Sequence, residues 1–338
     1  MGAMSTDSVI RSIVWRDDKI AETDIDFSTI SARLADPEQL LWVGLQQPTA
    51  DDLARLGKEL DIDPAAIEDA LNHVERPKAL RYAHYSFVTV YAAKWAGGEL
   101  SPASPGELTL TKLSAFTFPH GLVTVWYDPD FSFDEIIDRW SEDSYLSAHG
   151  SAMLVHGMLD YVVDGYFEIT QDFDDVIEDL EDEVLEQTAG SRDLQRRIYR
   201  LRASLVHLRR AVVPMREVVA SIMRHRREVS ADATLDPWFD DLYDHALRAA
   251  DWADSLRDLV TTIFETNMSL QDTQLNVVMR QLAAWAAIIA VPTAITGWFG
   301  QNVPYFGFNQ PYGLWLSVSL IVVISVTLFI SFKRRDWL

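Results

Sequence analysis

The sequence predicts an α+β membrane protein with an N-terminal α/β domain, followed by helices alone, the longest of which continues into the first of two C-terminal transmembrane segments. Three observations predict it. Residues Gln281–Phe332 make 52 consecutive positions without Asp, Glu, Lys or Arg, in a chain of 338 residues that is 24% charged overall. Strand-like apolar runs stop before about residue 134, and only helical patterns follow. A stripe of apolar residues with a 3.5-residue period then leads into the uncharged stretch.

Charge narrows the function classes. The 51 acidic residues against 29 basic ones give a net charge of −22. Such a field repels nucleic acid and attracts cations, so a general nucleic-acid partner is excluded. With no cysteine there are no disulfides, thiolate metal sites or cysteine nucleophiles. The eight histidines form no His-x-x-x-His or His-Glu-x-x-His pair, and neither a phosphate-binding glycine loop nor a nucleophile elbow is present. An enzyme is therefore not expected, and no cofactor is implied. His149 and His156, seven apart, read as packing or surface residues.

The elements follow in order. Met1-Gly-Ala-Met4 reads as an addition ahead of a start at Met4, and residues 5–150 as a cytoplasmic α/β domain. Strands are expected at Ser12–Trp15, Leu40–Leu45, Tyr85–Tyr91, Leu108–Phe118 and Leu122–Trp126, a helix from Asp51 to about Asn72, and a loop at 97–106. Residues 151–235 read as a charged helical hairpin. Asp172–Glu186 carries nine acids in 15 residues, and Arg192–Arg227 eleven arginines against two acids. Either the two faces neutralise each other, or the acidic face concentrates divalent cations.

Residues 236–280 read as a stalk helix. Leu242, Ala246, Ala249, Ala253, Leu256, Val260, Ile263, Asn267, Leu270, Gln274 and Val277 step by fours and threes. One helix cannot bury such a seam, so copies packed side by side are expected, with the first span near their symmetry axis. Residues 281–299 and 313–332 are each long enough to cross about 30 Å of hydrocarbon, joined by an external loop at 300–312. Arg280 and the tail 333–338, with Lys333, Arg334 and Arg335, put positive charge at both membrane ends on one side. That side is the cytoplasm, giving a multi-pass protein of the cell membrane with both termini inside.

A family resemblance adds to this reading. The long helix ending at Gly300-Gln301-Asn302, the short loop, the second span and the terminal Lys-Arg-Arg-Asp-Trp-Leu resemble the CorA-type divalent cation transporters, whose hallmark is Gly-Met-Asn. His73-Val-Glu-Arg-Pro-Lys78, the acidic run from Ile177, Leu208-Arg-Arg-Ala-Val-Val-Pro-Met-Arg-Glu-Val218, Leu242-Tyr-Asp-His245 and Asn276-Val-Val-Met279 look like family segments in the same order. The resemblance implies a funnel-shaped homopentamer conducting Mg²⁺, with Co²⁺, Ni²⁺ or Zn²⁺ as substitutes. It implies a pore mouth of Gly300, Gln301 and Asn302, where amide oxygens hold a hydrated ion. It places Thr293, Ala290, Leu282, Met279 and Asn276 along the pore, the first and last as polar rings and Met279 with Leu282 as a hydrophobic gate. A second stripe of small residues, Ala283, Ala286, Ala290 and Gly297, suits helix packing on a different face.

The chain departs from the family pattern in three places. Gln301 replaces Met, and the loop Val303–Tyr312 holds no carboxylate, so Tyr305, Phe306 and Phe308 are expected at the membrane interface. Asp241 matches the stalk half of a regulatory Mg²⁺ site, yet Ala96–Gly98 offers no acid and Glu99 is the nearest. Glu265 matches a pore ring or an exposed stalk position. Three functions stay open at this point: a Mg²⁺/Co²⁺ channel-like transporter, a Zn²⁺ transporter of the same fold, and a non-conducting membrane-anchored oligomer.

Overall fold

A seven-stranded mixed sheet organises the first half of the chain, in the order β2-β1-β3-β7-β6-β5-β4. The strands are β1 (Val9–Arg16), β2 (Lys19–Thr23), β3 (Leu40–Gln46), β4 (Lys78–Arg81), β5 (Ser86–Trp95), β6 (Leu108–Phe118) and β7 (Gly121–Trp126). Only β3 and β7 run parallel among the paired strands. The computed structural model describes residues 9–96, 108–142, 149–186, 192–229, 233–301, 304–308 and 310–338. The expected loop at 97–106 and Asn302 fall outside them.

The five expected strands are present, and β2 and β4 are additions at the two sheet edges. All five residues of β2 are exposed, so it carries none of the alternation that marks a half-buried strand. The helix expected from Asp51 to Asn72 is two helices, α2 (Ala50–Glu59) and α3 (Pro64–Leu71), besides the short α1 (Ile30–Leu34). Asp61 takes φ +52°, and Pro64 opens α3 with the Asp63 carboxylate accepting from the Ala65 N–H at 2.8 Å. A left-handed residue ends one helix and a proline at the first turn starts the next. Thr49 and Asp52 form a reciprocal capping box on α2.

Strand alternation divides the core between the two sheet faces. Val14, Leu41, Val43, Leu45, Phe87 and Phe116 pack under α2 and α3. The opposite face carries Trp15, Trp42 and Trp126, which meet Phe133 and Trp140 of the α4 region (α4, Asp134–Glu142). Gly44 is required there, because a Cβ would lie 2.6 Å from the Trp42 ring.

After α4 come α5 (Ser151–Glu186), α6 (Arg192–Val212), α7 (Met215–Glu228), α8 (Asp236–Phe299) and α9 (Pro311–Arg334). Pro214 separates α6 from α7, so the arginine-rich stretch is two helices. The chain forms two compact units, Met1–Glu183 with Arg192–Thr262, and Val184–Ser191 with Ile263–Leu338. In the first, the α8 seam is already buried: Leu242, Ala246, Ala249, Ala253, Leu256 and Val260 are at most 1% exposed. Neighbours from α5 and α6 cover this part of α8, with Phe167 against His245 and Trp252 and Arg209 bonded to Asp254. The sequence expectation that copies of the stalk bury this seam is therefore corrected for Leu242–Val260, while Leu270 and Gln274 farther along it are exposed on the single chain. The period shows that a stripe is apolar, and helices of the same chain are what cover its first part.

The neutralised hairpin is also corrected. Arg197 pairs with Glu183, but Arg209, Arg226 and Arg227 pair with Asp254, Asp236 and Asp240 of α8. Asp172, Asp174, Asp175, Glu178, Asp179, Glu181 and Asp182 are exposed and make no ion pair among the described residues. His156 is a packing residue as expected, 7% exposed between the Trp238 and Phe239 rings.

In the second unit, the later part of α8 and the whole of α9 are long and apolar enough to cross a membrane.

Candidate functional site

The predicted pore residues all stand on the later part of α8. Asn276, Met279, Leu282, Ala290 and Thr293 fall within an arc of about 120° at about 100° per residue. All five are exposed on the single chain, Met279 at 68% and Leu282 at 70%. A different face is covered. Ala284 is fully buried, and Ala287, Ile288, Val291, Pro292 and Ile295 are half-buried. The small-residue stripe Ala283, Ala286, Ala290 and Gly297 shares the uncovered arc with the pore residues, instead of occupying a separate face. A Cβ added at Gly297 would meet nothing within 4 Å.

Local chemistry sets the polar groups of this arc. The Thr293 hydroxyl donates to the Ile289 carbonyl at 3.2 Å, which leaves its oxygen lone pairs free to accept from water. Pro292 lies inside the helix and lacks the N–H of a normal turn. Thr296 closes the next turn by donating to the Pro292 carbonyl at 2.8 Å.

At the far end of α8, Gly300 keeps a negative φ, and its N–H stays bonded to Thr296 O at 2.8 Å. The left-handed glycine is Gly307, at φ +90°. Gln301 is exposed, and Asn302 lies outside the described residues. Tyr305 turns back so that its hydroxyl donates to the Phe299 carbonyl at 2.6 Å, with the two rings 5.1 Å apart. This satisfies one of the carbonyls that every helix end leaves open. Phe306 is 81% exposed, as an interfacial aromatic would be.

The other end of the arc meets the C-terminal tail. A cleft there is lined by Thr273, Asn276, Met279, Arg280, Ala283 and Trp337. The Asp336 N–H bonds to Lys333 O at 3.4 Å, and the Trp337 N–H to Phe332 O at 3.0 Å, with Asp336 at φ +54°. Trp337 stacks on Phe332 with centroids 5.5 Å apart and planes at 7°. This is a Schellman ending complete with its apolar contact. Its signal in the sequence is the Phe-Lys-Arg-Arg-Asp-Trp spacing, which reading the tail as a topology marker missed.

The remaining predicted ligands lie apart from this arc. Asp241 is exposed, with its carboxylate 3.8 Å from His245 Nε2. Ala96 is exposed at the end of β5, while Gly97, Gly98 and Glu99 fall outside the described residues. Glu265 is exposed on α8. Sequence reasoning missed a cluster in the first unit: Asp160, Asp164 and His245 offer donor atoms within 4.8 Å of one another. Arg139 holds Asp160 at 3.2 Å and Asp164 at 2.8 Å, standing where a cation would balance them. Burial, and then the neighbouring Asp164 carboxylate, raise the pKa of Asp160 above the ordinary carboxylate value. Two carboxylates four apart on a helix are common, and the histidine joins them only through the fold.

The family model described as CorA-like Mg²⁺ transporter protein matches residues 37–334. The cobalt/magnesium transport protein CorA of Thermotoga maritima is 30% identical over 292 residues, covering 85% of this chain and 80% of that protein. The complete structure of the CorA magnesium transporter from Methanocaldococcus jannaschii aligns at TM-score 0.72 and 21% identity, over 99% of this chain and 100% of that one. The full-length CmaX structure aligns at TM-score 0.75 and 19% identity, over 97% of both chains.

Proposed function

The chain belongs to the CorA-like Mg²⁺ transporter family, and from that premise we propose that it conducts divalent cations, Mg²⁺ first, through a pore shared by five copies. Members of this family are transporters and not enzymes. The observation that carries the reading is the uncovered arc of α8. Asn276, Met279, Leu282, Ala290, Thr293 and Gly297 share it, and all six are exposed on the single chain. Two spans cannot enclose a water path, and a ring of such arcs can.

Mg²⁺ gives up its waters reluctantly, so the mouth selects the hydrated ion. The Asn302 side-chain oxygens and the Gly300 carbonyls accept hydrogen bonds from those waters, with Gln301 adding a second amide beside them. Thr293 and Asn276 form polar rings farther in. Met279 and Leu282 make the narrow apolar section that closes by excluding water. With both termini in the cytoplasm and the protein in the cell membrane, a potential of 100 mV contributes about 4.6 kcal/mol per divalent ion. Co²⁺ and Ni²⁺ are substitute cargoes, and Zn²⁺ is the alternative main one. Asp241 matches the stalk carboxylate of the family's regulatory site, and with no acid at Ala96–Gly98 to complete it, gating by intracellular cation is weaker, relocated or absent; Glu265 is a further acidic position on α8.

Liposomes holding a trapped Mg²⁺ indicator test this. The purified chain admits Mg²⁺, and Asn302→Ala slows entry at least tenfold. Equal rates for the two, or no metal-dependent entry at all, favour a non-conducting membrane oligomer. Competition among Mg²⁺, Co²⁺, Ni²⁺ and Zn²⁺ fixes the cargo, and Gln301→Met shifts that order if the second amide takes part.

A further inference from the structure

We propose that the cavity between the β4 edge of the sheet and α7 binds an amphipathic organic anion, a single carboxylate on an aromatic or aliphatic body. The cavity has a volume of about 460 Å³ and lies wholly within the first unit. That size falls in the range of small-ligand sites, roughly 300–1,000 Å³. No residue of its lining lies on the predicted ion pathway, so the site stands or falls independently of the transport reading.

Charge identifies the ligand's sign. Arg81, His84, His225 and Arg226 all line the cavity, and among the described residues no Asp or Glu does. In a chain with 51 acids and a net charge of −22, an acid-free basic cavity is a marked local reversal of the field. Arg226 is the innermost of these groups, with its side chain 9% exposed. Its guanidinium lies 4.8 Å over the Phe239 ring, which orients it.

The number of charges follows from the existing pairs. Arg226 has Asp236 at 3.7 Å, and Arg81 at the rim has Glu228 at 3.2 Å. Each arginine thus already has an acid outside the lining, which suits at most one added negative charge rather than the two of a phosphate monoester. Two further lining atoms, Thr117 Oγ1 and His225 Nδ1, are buried without a hydrogen-bond partner among the described residues. Buried polar atoms of this kind are costly unless something pairs with them; burial and the nearby Arg81 hold the His225 pKa below the ordinary imidazole value, so a carboxylate meets there the hydroxyl and a neutral imidazole N–H.

The remaining wall selects the body of the ligand. Tyr82 and Tyr85 stack with centroids 4.6 Å apart and planes at 7°. The Tyr85 hydroxyl is occupied in accepting from the Asp63 N–H at 2.9 Å, so this wall offers its ring and not its polar tip. Val88, Phe118, Val155 and Ile222 complete an apolar lining that excludes a small hydrophilic anion as the natural occupant.

Isothermal titration of the full chain in lipid nanodiscs with 2-naphthoate tests the site, with empty nanodiscs as the blank for partition into lipid. The expected result is saturable binding at one site per chain, with 2-naphthylmethylammonium at least tenfold weaker. Arg226→Gln weakens naphthoate binding at least tenfold. Arg81→Gln, at the half-exposed rim where folding is not at stake, weakens it severalfold, and Ile222→Trp fills the cavity and abolishes it. The proposal is overturned by an absence of saturable naphthoate heat, by equal affinity for the cation, or by Arg81→Gln and Ile222→Trp both binding like the unaltered chain.

Discussion

Lys112 is a buried cation held by backbone alone: its ammonium donates to the carbonyls of Asp69, Ala70 and Asn72 at 2.5, 3.2 and 2.5 Å. These are carbonyls at the end of α3, where a helix collects partial negative charge. Burial pushes the Lys112 pKa down to about 8, with Glu75 and Asp69 acting in the opposite direction. Below pH 8 the lysine is charged in both the folded and unfolded chain. Between about 8 and 10.5 the unfolded chain keeps a proton that the folded chain has released, so this group adds stability as pH rises through that window. Lys112→Met is expected to cost about 1–3 kcal/mol at pH 7.5 by orphaning the carbonyls. In denaturation of the detergent-solubilised chain, the gap between wild type and variant should widen from pH 8 to 10.5; a narrowing gap contradicts the assignment. Glycines give a second contrast. A Cβ at Gly313 would stand 2.5 Å from the Gly307 carbonyl oxygen, whereas one at Gly297 meets nothing. Gly313→Ala should therefore lower the melting temperature and the flux together. Gly297→Ala should leave the fold of each chain intact, and any change in flux then reports a neighbouring copy against that arc.

Elements differ in what they reveal of their packing. The α8 seam is filled by Ala246, Ala249 and Ala253, all fully buried in the first unit, so there is no room for a larger side chain. Ala253→Leu is expected to destabilise the individual chain by about 1–3 kcal/mol through overpacking. The measurement is the unfolding of a dilute, dissociated sample, and a variant that loses only its assembly while keeping chain stability returns the seam to the subunit interface. The later part of α8 behaves otherwise, since Leu275, Val278, Met279, Leu282 and Ile289 are all more than half exposed. The change along one helix from covered to uncovered apolar surface marks where the chain's own packing stops. β2 and β4 escaped the sequence reading because short edge strands with outward polar residues lack period-2 alternation. The break at Asp61–Pro64 was legible in principle, since Asp63-Pro64 is a helix-start signal, but the apolar pattern on both sides of it hid it.

The whole molecule is a strongly acidic chain whose last 52 residues before the tail, Gln281–Phe332, are uncharged, and both features bear on assembly. A homopentamer of 38.3 kDa chains has a protein mass of about 190 kDa, which native mass spectrometry from detergent reads directly. A dimer or a monomer removes the shared pore. The exposed acids Asp172–Asp182 of α5 keep their charge unpaired among the described residues, so their pull on divalent cations should weaken as salt rises and the screening length falls to about 8 Å at 0.15 M. The Asp160, Asp164 and His245 cluster belongs to this scale as well, since the two helices that build it come together only in the folded chain.

The sequence alone determined the two apolar spans and the α/β domain with its five central strands. Each of these is written in local pattern, as a run without charge or as a fixed residue period. Tertiary structure decided what covers the first part of the stalk seam, where the α6 and α7 arginines find their acids, and that Gly297 lies on the same exposed arc of α8 as Met279 and Leu282. It also gathered Asp160 and Asp164 with His245, and shaped a cavity against β4 whose described lining holds no acid. Periodicity reports how apolar a face is, whereas the identity of the surface that meets it depends on residues distant in sequence, which only the folded chain brings together.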